Sequence, residues 1–480
     1  MAEEAPAVRF KGTIVLTILL VLLGLYLFYI EIPGAKKKEE AESKAKRLFS
    51  FSESAVTGLT IQSPEGVIEL EHSADPDQPW KISRPVATAA NDAAASGLAS
   101  QLERLESTRV VEESPADLKA YGLDPPAYSI IIHLNQTDVE PLQIGGENPA
   151  GTEVYVRKGE AGPVYLTAGS VKQFLKKDLK EWRRRELFRF ETADVKRIRI
   201  EGPRRELELV REGEGWLIKK PLLGAAEGAG PLRGDPSAIS NLLGSALNLR
   251  GDDFIDAQKE EKKKELGPPV LKLNLEVGAV EREASFYKLK QDGTLDVRNP
   301  DAVYAVTTPS APIYKISAQS FQSIDQPVNA LRDKKALSLN DVESVEEIVI
   351  KRPERTVVLR KKEGAWTIGS PSPQKMDDPG KVSLLLFDLR DLQVEEFPDP
   401  SKAARTGLGN PSVSIQLKGK EGTLLEEIAF GRAEGDRVYA RTLRQSTPFF
   451  LKKEDADRVT NENDFIASTP APSNPAPKSK

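Results

Sequence analysis

The chain has 480 residues, 39% of them apolar, and a formal net charge of −5. This length supplies more than one hydrophobic core and suggests roughly three domains. The small net charge predicts no nucleic-acid partner, and the absence of cysteine excludes disulfides, thiolate nucleophiles and cysteine metal sites.

A transmembrane anchor is predicted near the N-terminus. After a short segment of residues 1–11, residues 12–30 are almost wholly apolar and uncharged. At about 1.5 Å per residue, a helix of this length spans the ~30 Å hydrocarbon core. Because no small-residue cleavage site follows, we expect an uncleaved signal anchor from Gly12 to Ile30.

The orientation of this anchor is open on sequence grounds. More Lys and Arg residues follow the apolar stretch than precede it, which favours a cytoplasmic body. A very short N-terminus before a single anchor is also typical of exported, tethered proteins. The Lys- and Glu-rich residues 31–48 are predicted to form a solvated linker.

One six-residue pattern occurs three times in the rest of the chain. Each copy has Trp, any residue, Ile, two further residues and Pro, and it contains three of the four Trp residues of the protein. A Leu near a Pro follows each Trp after 42 to 50 residues. The markers of the three copies are Trp80, Pro85 and Leu123; Trp216, Pro221 and Leu266; and Trp366, Pro371 and Leu408. One supersecondary unit is therefore predicted to occur three times.

Between the markers, each copy shows the same order of expected elements. Paired strands precede the Trp, and an Asp (Asp92, Asp235 or Asp378) is expected to cap a helix with apolar residues at helical spacing. Further hairpins and a closing helix follow. The predicted class is α+β, with three tandem units of antiparallel strands and flanking helices at residues 49–187, 188–337 and 338–466. Residues 467–480, rich in Pro, Ser and Ala, are expected to form a disordered tail.

These features resemble a bacterial family known as domain of unknown function 4340. The resemblance is carried by the N-terminal anchor, the Trp pattern, and Gly-Leu-x-x-Pro loops followed by a Gly and a Tyr-containing strand. The matching residues are Gly122-Leu123 with Pro126, Gly145 with Tyr155, Gly407-Leu408 with Pro411, and Gly431 with Tyr439. The second copy departs from it, with Glu265 in place of the Gly and Asp296-Val297-Arg298 in place of the Tyr strand.

Such proteins are usually encoded beside an ABC-type permease and a gliding-motility-type auxiliary transport protein. The resemblance therefore implies a single-pass protein of the bacterial inner membrane whose body is periplasmic and works with a transporter. It implies no catalytic residues, no cofactor and no metal.

No motif in the sequence predicts a catalytic or ligand site. The Gly-rich residues 145–151 lack the Gly-Lys-Ser/Thr ending of a phosphate loop. The basic cluster at residues 182–185 recurs as residues 331–335, which indicates a connector between units. The two histidines, His72 and His133, are far apart in sequence, and the Trp residues are expected to pack in cores.

Three functions remain open at this point. We favour a non-enzymatic envelope protein that binds transporter subunits or a polymer through its repeated units. An enzyme acting on envelope polymers would need carboxylates with perturbed pKa values, gathered from different units. A cytoplasmic membrane-tethered adaptor is the third.

Overall fold

A computed structural model describes most of the chain outside its termini. The described residues are 18–22, 25, 28, 43–76, 78–135, 137–203, 205–220, 232–256, 259–288, 302–308, 312–339, 341–370, 374–376, 378–398 and 405–461. Of the expected anchor Gly12–Ile30, only residues 18–22, 25 and 28 are among them, and 18–22 are helical with exposed side chains. Within the described ranges, no helix combines the length and apolarity needed to span a bilayer. The predicted tail, residues 467–480, lies outside them.

In the described part of the chain, strands form three antiparallel sheets, and we call the segments that hold them repeats 1, 2 and 3. The strands of repeat 1 are β1 Val56–Ser63, β2 Gly66–His72, β3 Trp80–Arg84, β4 Thr88–Ala89, β5 Ser107–Glu112, β6 Tyr128–Leu134, β7 Asp138–Glu147, β8 Glu153–Lys158 and β9 Val164–Ala168. Its helices are α1 Asp92–Glu103, α2 Ser170–Leu175 and α3 Leu179–Trp182. The order across the sheet is β4-β3-β2-β1-β6-β7-β8-β9-β5.

Repeat 2 has the same arrangement. Its strands are β10 Val195–Gly202, β11 Arg205–Glu212, β12 Gly215–Lys220, β13 Leu232–Gly234, β14 Asp253–Ile255, β15 Leu271–Val277, β16 Val280–Lys288, β17 Ala302–Thr308 and β18 Ile313–Ser317. Its helices are α4 Pro236–Leu247, α5 Lys259–Glu265 and α6 Ala318–Ile324. The order β13-β12-β11-β10-β15-β16-β17-β18-β14 repeats that of the first sheet.

Repeat 3 follows the same plan without a full strand at one edge of its described sheet. Its strands are β19 Glu347–Lys351, β20 Thr356–Lys362, β21 Ala365–Ser370, β22 Gln374–Lys375, β23 Val413–Lys418, β24 Leu424–Glu434, β25 Arg437–Thr442 and β26 Phe449–Lys452. Its helices are α7 Gly380–Asp391 and α8 Lys453–Thr460. The order is β22-β21-β20-β19-β23-β24-β25-β26, and among the described residues a single bridge, from Glu396 to Phe450, lies beyond β26.

The chain therefore consists mostly of antiparallel strands with flanking helices, and the predicted threefold repetition is present. The chain divides into two compact units, Met1–Arg185, which holds repeat 1, and Glu186–Lys480, which holds repeats 2 and 3.

Each core lies on one face of its sheet, against the main helix. In β1, Leu59 and Ile61 point into the core, whereas Thr60 between them points to the opposite face. Leu98 and Leu102 of α1, both 0% exposed, belong to the same core. Burial of each such side chain contributes about 1.5–3 kcal/mol. The alternating apolar residues of the strand and the apolar face of the helix thus pack against each other in one core.

The predicted caps of the main helices differ in detail. Asp235 caps α4 as expected, accepting from the Ala238 amide at 2.8 Å. In repeat 1 the N-cap is Asn91, not Asp92, because the Asp92 carboxylate accepts from the Trp80 amide at 3.1 Å. In repeat 3 the Asp378 carboxylate accepts from the Gly380 amide at 2.9 Å, but Pro379 holds the N-cap position. The Asp signal therefore locates each helix start to within one residue.

Candidate functional site

The Trp markers are structural. Trp80, Trp216 and Trp366 lie in the equivalent strands β3, β12 and β21 and are 3%, 5% and 7% exposed. The Trp80 indole nitrogen donates to the Ser96 hydroxyl at 3.0 Å, and the Arg211 guanidinium lies 4.8 Å from the Trp216 ring. All three are therefore core side chains, and the polar end of Trp80 is satisfied by Ser96.

The other markers divide between buried and exposed positions. Leu123, Leu266 and Leu408 are buried, at 2%, 6% and 6% exposure. Pro85 is exposed directly after β3. Pro221 and Pro371 lie outside the described residues.

The Gly-Leu loop of repeat 1 crosses strand β7 at a glycine. Gly122 has φ of +67°, a conformation that favours glycine. A Cβ on Gly145 would overlap the carbonyl oxygen of Tyr121 and would lie 3.0 Å from both the Gly122 oxygen and Leu123 Cγ. At this point the β7–β8 register shifts, from Ile144 opposite Val156 to Glu147 opposite Val154. The Gly-Leu and Gly elements of the family pattern are thus two sides of one backbone contact.

Repeat 3 builds the same contact. Gly407 has φ of +72°, and a Cβ on Gly431 would overlap the Thr406 carbonyl oxygen. The β24–β25 register shifts here as well, between Phe430 and Ala433.

Repeat 2 replaces this contact with side-chain packing, which explains why it lacks the glycines of the pattern. The expectation that Asp296-Val297-Arg298 stands in place of the Tyr strand is wrong, because Tyr304 of β17 occupies the register position of Tyr155. By register, Tyr287 occupies the place of Gly145, because Phe286 pairs with Leu271 as Ile144 pairs with Tyr128. Tyr287 is 8% exposed and packs in a small cluster with Leu266. The β16–β17 pairing runs through this point without a register shift.

The tyrosines of the pattern also serve packing. Tyr121 donates from its hydroxyl to Glu112 at 2.8 Å, and its ring centroid lies 5.1 Å from that of Tyr155. The hydrogen bond to Glu112, assisted by burial, raises the pKa of Tyr121. Tyr439, which is the equivalent of Tyr155 by register, donates from its hydroxyl to Glu434 at 3.1 Å. Burial, followed by this hydrogen bond, raises the pKa of Tyr439, so both phenols stay protonated at neutral pH.

One group of side chains has the elements of a proton relay. On the face of the first sheet away from the core, His133 Nε2 lies 2.8 Å from the Thr60 hydroxyl, and His133 Nδ1 lies 2.7 Å from an Asp138 carboxylate oxygen. A carboxylate, an imidazole and a hydroxyl in this order are the components of nucleophilic catalysis. No local pattern in the sequence marks this group, because Thr60 and His133 are 73 residues apart and meet through β1–β6 pairing.

The surroundings of this group do not favour acyl transfer. Thr60 lies in the interior of the sheet, with Glu69 opposite on β2 and Ile131 opposite on β6. If the Thr60 hydroxyl attacked a substrate carbonyl, the oxyanion on the substrate would form beside the strand position of the Glu69 carboxylate, whereas acyl transfer requires aligned N–H donors at the oxyanion. In the described ranges, no group of three or more His, Asp or Glu side chains is placed to hold a metal ion.

All three sheets carry cross-strand ion pairs on this same open face. In repeat 1, Lys81 pairs with Glu71 at 3.0 Å. In repeat 2, Arg197 lies between Glu208 and Glu276, 3.1 Å from the latter. In repeat 3, Glu347 accepts from Arg360 at 2.7 Å and from Lys418 at 2.9 Å. One register position of the three sheets is occupied by Gly58, Arg197 and Glu347. The same place in the fold is therefore uncharged in repeat 1, positive in repeat 2 and negative in repeat 3.

The electrostatics of these pairs favour fixed ionised side chains. Hydrogen bonds from Lys418 and Arg360 lower the pKa of Glu347. Those from Lys81 and Ser83 lower the pKa of Glu71. These carboxylates remain charged well below neutral pH.

The basic connector between repeats 2 and 3 forms a buried polar cluster. Arg332, 3% exposed, places its guanidinium 3.3 Å from the centre of the Phe397 ring and donates to the Thr447 hydroxyl at 2.6 Å. Burial lowers its pKa to about 10. The neighbouring Asp333 pairs with Arg444 and its carbonyl accepts from the Gln445 side chain at 2.7 Å. The predicted connector role of residues 331–335 thus has a physical basis in packing across two repeats.

Three carboxylates that each lie next to another carboxylate in the sequence, Glu347, Glu426 and Asp378, do not converge on one site. Glu347 lies on the open face, whereas Glu426 is 2% exposed and accepts from the Ser338 and Leu443 amides at 3.0 and 3.1 Å. Asp378 serves the start of α7. Each of these carboxylates makes its own structural contacts in a different part of repeat 3.

Comparison with known proteins identifies a family. No curated protein matches the chain. The model of a domain of unknown function, DUF4340, matches residues 80–269 and residues 228–411, each match ending at the Pro that follows a Leu marker. Because the two matches together cover more than half of the chain, the protein belongs to the DUF4340 family.

Proposed function

We propose that this protein is a non-enzymatic, membrane-anchored scaffold of the bacterial envelope, and that it binds subunits of an ABC-type, gliding-motility-like transport complex. The anchor is residues 12–30, and the body is periplasmic. The observation that supports binding is the open face of each sheet, where ion pairs hold charged side chains in fixed positions.

Such a face suits recognition of a folded partner. Arrayed charges on a rigid sheet confer specificity and speed association, and side chains already held by neighbours lose little conformational entropy on binding. The three faces have different charge orders, because one register position holds Gly58, Arg197 or Glu347. Three related modules can therefore contact three different surfaces.

Site-specific photocrosslinking in cells tests this function. A photoreactive residue replaces Gln416, on the open face of repeat 3, and in a matched variant replaces Lys381, an exposed residue on the helix side. We expect crosslinks from position 416 to a permease or auxiliary transport subunit, identified by mass spectrometry, and none from position 381. Equal crosslinking from both positions would contradict binding through the open face.

Thiol labelling tests the location of the body. Because the chain has no cysteine, Glu214→Cys in the exposed β11–β12 turn provides a unique thiol. We expect a membrane-impermeant maleimide to label it in intact cells whose outer membrane is permeabilised. Labelling only after lysis would instead support the cytoplasmic adaptor.

A further inference from the structure

In repeats 1 and 2, a side chain of the neighbouring strand packs on the marker Trp. His72 lies opposite Trp80 in the sheet, and the centroids of their rings are 5.2 Å apart. Arg211 lies opposite Trp216, and its guanidinium carbon is 4.8 Å from the centroid of the Trp216 ring. A cation within about 6 Å of an aromatic ring is attracted to its face. One register position thus supplies a planar side chain with N–H groups that covers the Trp.

The backbone of repeat 2 also binds Arg211. Its Nε donates to the carbonyl oxygen of Val195, and its Nη2 donates to that of Thr192, both at 3.0 Å. Thr192 begins a short 3₁₀ turn, and Val195 follows this turn as the first residue of β10. The guanidinium therefore occupies the space between Trp216 and the turn.

Lys361 has the same register position in repeat 3. It lies opposite Trp366 as Arg211 lies opposite Trp216. Its ammonium nitrogen is 2.7 Å from a carboxylate oxygen of Glu343, so the side chain is directed to this ion pair. The space that Arg211 fills in repeat 2 is left open in repeat 3.

This open space, which we call the Trp366 groove, has a volume of about 440 Å³. Its walls are the 3₁₀ turn Val342–Ser344, the β20–β21 turn and the first two turns of α7. Aromatic and apolar side chains line it, with one ion pair: Trp366, Phe387, Leu386, Val342, Glu343 and Lys361. Phe387 is 42% exposed. Arg390 lies 4.8 Å from the Phe387 ring, but it pairs with Asp391 and is not a lining residue.

The groove also has hydrogen-bond acceptors for a guanidinium. By the register of β19 and β10, the carbonyl groups of Val342 and Val345 correspond to those that bind Arg211. The Glu343 side chain is 80% exposed, and Lys361 contacts its Oε2 atom. A carboxylate offers about four acceptor sites, so Glu343 can bind a second cation while it keeps Lys361.

We propose that the Trp366 groove receives an arginine side chain of a partner protein. The guanidinium takes the place that Arg211 fills in repeat 2 and stacks on Trp366. It donates to the carbonyl oxygens of Val342 and Val345 and pairs with Glu343. The partner thus supplies the side chain that the chain itself supplies in repeat 2.

Arginine suits this groove better than lysine. A guanidinium is planar, stacks on aromatic rings and carries five donors in a fixed fork, whereas an ammonium is a strongly hydrated point charge. The exposed ring of Phe387 contacts an apolar residue next to the arginine. Because α7 forms one wall, the groove lies on the helix side of the third sheet. It is a second contact site, and it does not depend on binding at the open face.

Substitution of Lys361 tests whether the groove accepts a guanidinium. Fluorotryptophan labels the four Trp residues of the full-length protein in detergent, and Trp366→Phe assigns the fluorine NMR signal of Trp366. Lys361→Arg introduces the residue of repeat 2, and we expect it to fill the groove and shift this signal. Lys362→Arg, the same change at the next, exposed residue, should leave the signal in place. Equal signals in the two variants would show that the groove does not accept a guanidinium.

Peptide titration tests the chemistry of the partner. The probes are a capped peptide of sequence Gly-Leu-Arg-Leu-Gly and the same peptide with citrulline, a neutral isostere, in place of arginine. We expect the arginine peptide to shift the Trp366 signal and to bind at least about tenfold more tightly, because citrulline loses the ion pair and the cation–π contact. Lys361→Arg should abolish this response, whereas Lys362→Arg should retain the affinity within about twofold. No shift with the arginine peptide, equal binding of both peptides, or an unchanged response in Lys361→Arg would overturn the proposal.

Discussion

The contact at Gly145 makes a sharp prediction about the family pattern. A methyl group at this position overlaps the Tyr121 carbonyl oxygen and lies only 3.0 Å from two more atoms of the crossing loop. Two of these three atoms are main-chain oxygens and the third belongs to the buried Leu123, so the loop and β7 must move apart. Forced repacking of this kind costs about 1–3 kcal/mol. We therefore expect Gly145→Ala to destabilise β7, β8 and the Gly-Leu loop by that amount.

The adjacent glycine supplies a matched control. A Cβ on Gly146 would meet its nearest atom, the Tyr121 oxygen, at 3.5 Å, which is ordinary contact. Gly146→Ala should therefore be neutral or stabilise by about 0.4–1 kcal/mol, because Ala restricts the unfolded chain.

Hydrogen exchange measured by mass spectrometry distinguishes the two variants. Each kcal/mol of destabilisation raises local opening about fivefold, so peptides of residues 138–158 should exchange roughly 5- to 150-fold faster in Gly145→Ala only. The same change should occur in repeat 3 for Gly431→Ala. If Gly145→Ala and Gly146→Ala exchange alike, the glycine is not required by the crossing loop, and our account of the pattern is wrong.

Three further predictions, which use four substitutions, follow from the described contacts. Glu347→Gln should lower stability by about 0.2–1 kcal/mol at neutral pH. Because the folded-state pKa of Glu347 is lowered, this difference should hold above the unfolded value of about 4.3 and vanish as pH falls through the folded value, as followed by urea unfolding. Asp235→Ala removes the cap of α4 and should cost about 1 kcal/mol in the same assay. Arg444→Met strands the buried Asp333 carboxylate and should cost about 3–5 kcal/mol, whereas Arg332→Met strands no carboxylate and should cost less. Equal losses for the two Arg variants would contradict this.

The sequence was sufficient for features that depend on local periodicity. The Trp pattern placed β3, β12 and β21, and the spacing of Leu98 and Leu102 placed α1 on its core. These elements were predictable because the spacing of their apolar residues in the sequence matches the spacing of the buried side chains in the structure.

Features that depend on tertiary contact were not predictable. Strands β5 and β14 follow the main helices without clear alternation and are defined by pairing with β9 and β18. The need for glycine at Gly145 arises from a loop that precedes it by more than 20 residues. The group around His133 depends on the register of β1 against β6. In each case the partner is distant in sequence, and no local signal marks it.

The connector between repeats 2 and 3 belongs to both of them. Leu331 and Arg332 close repeat 2 at α4, and the amide of Ala336, four residues later, donates to Leu392 of repeat 3 at 3.1 Å. A gene duplication whose ends lay within the connectors would separate the residues that contact repeat 2 from those that contact repeat 3. A copy that begins and ends inside a repeat keeps every connector whole, and the two DUF4340 matches, residues 80–269 and 228–411, each begin in one repeat and end in the next. Recombination points that preserve the fold are therefore expected in hairpin turns, such as residues 213–214 and 363–364, and not at the apparent borders of the repeats.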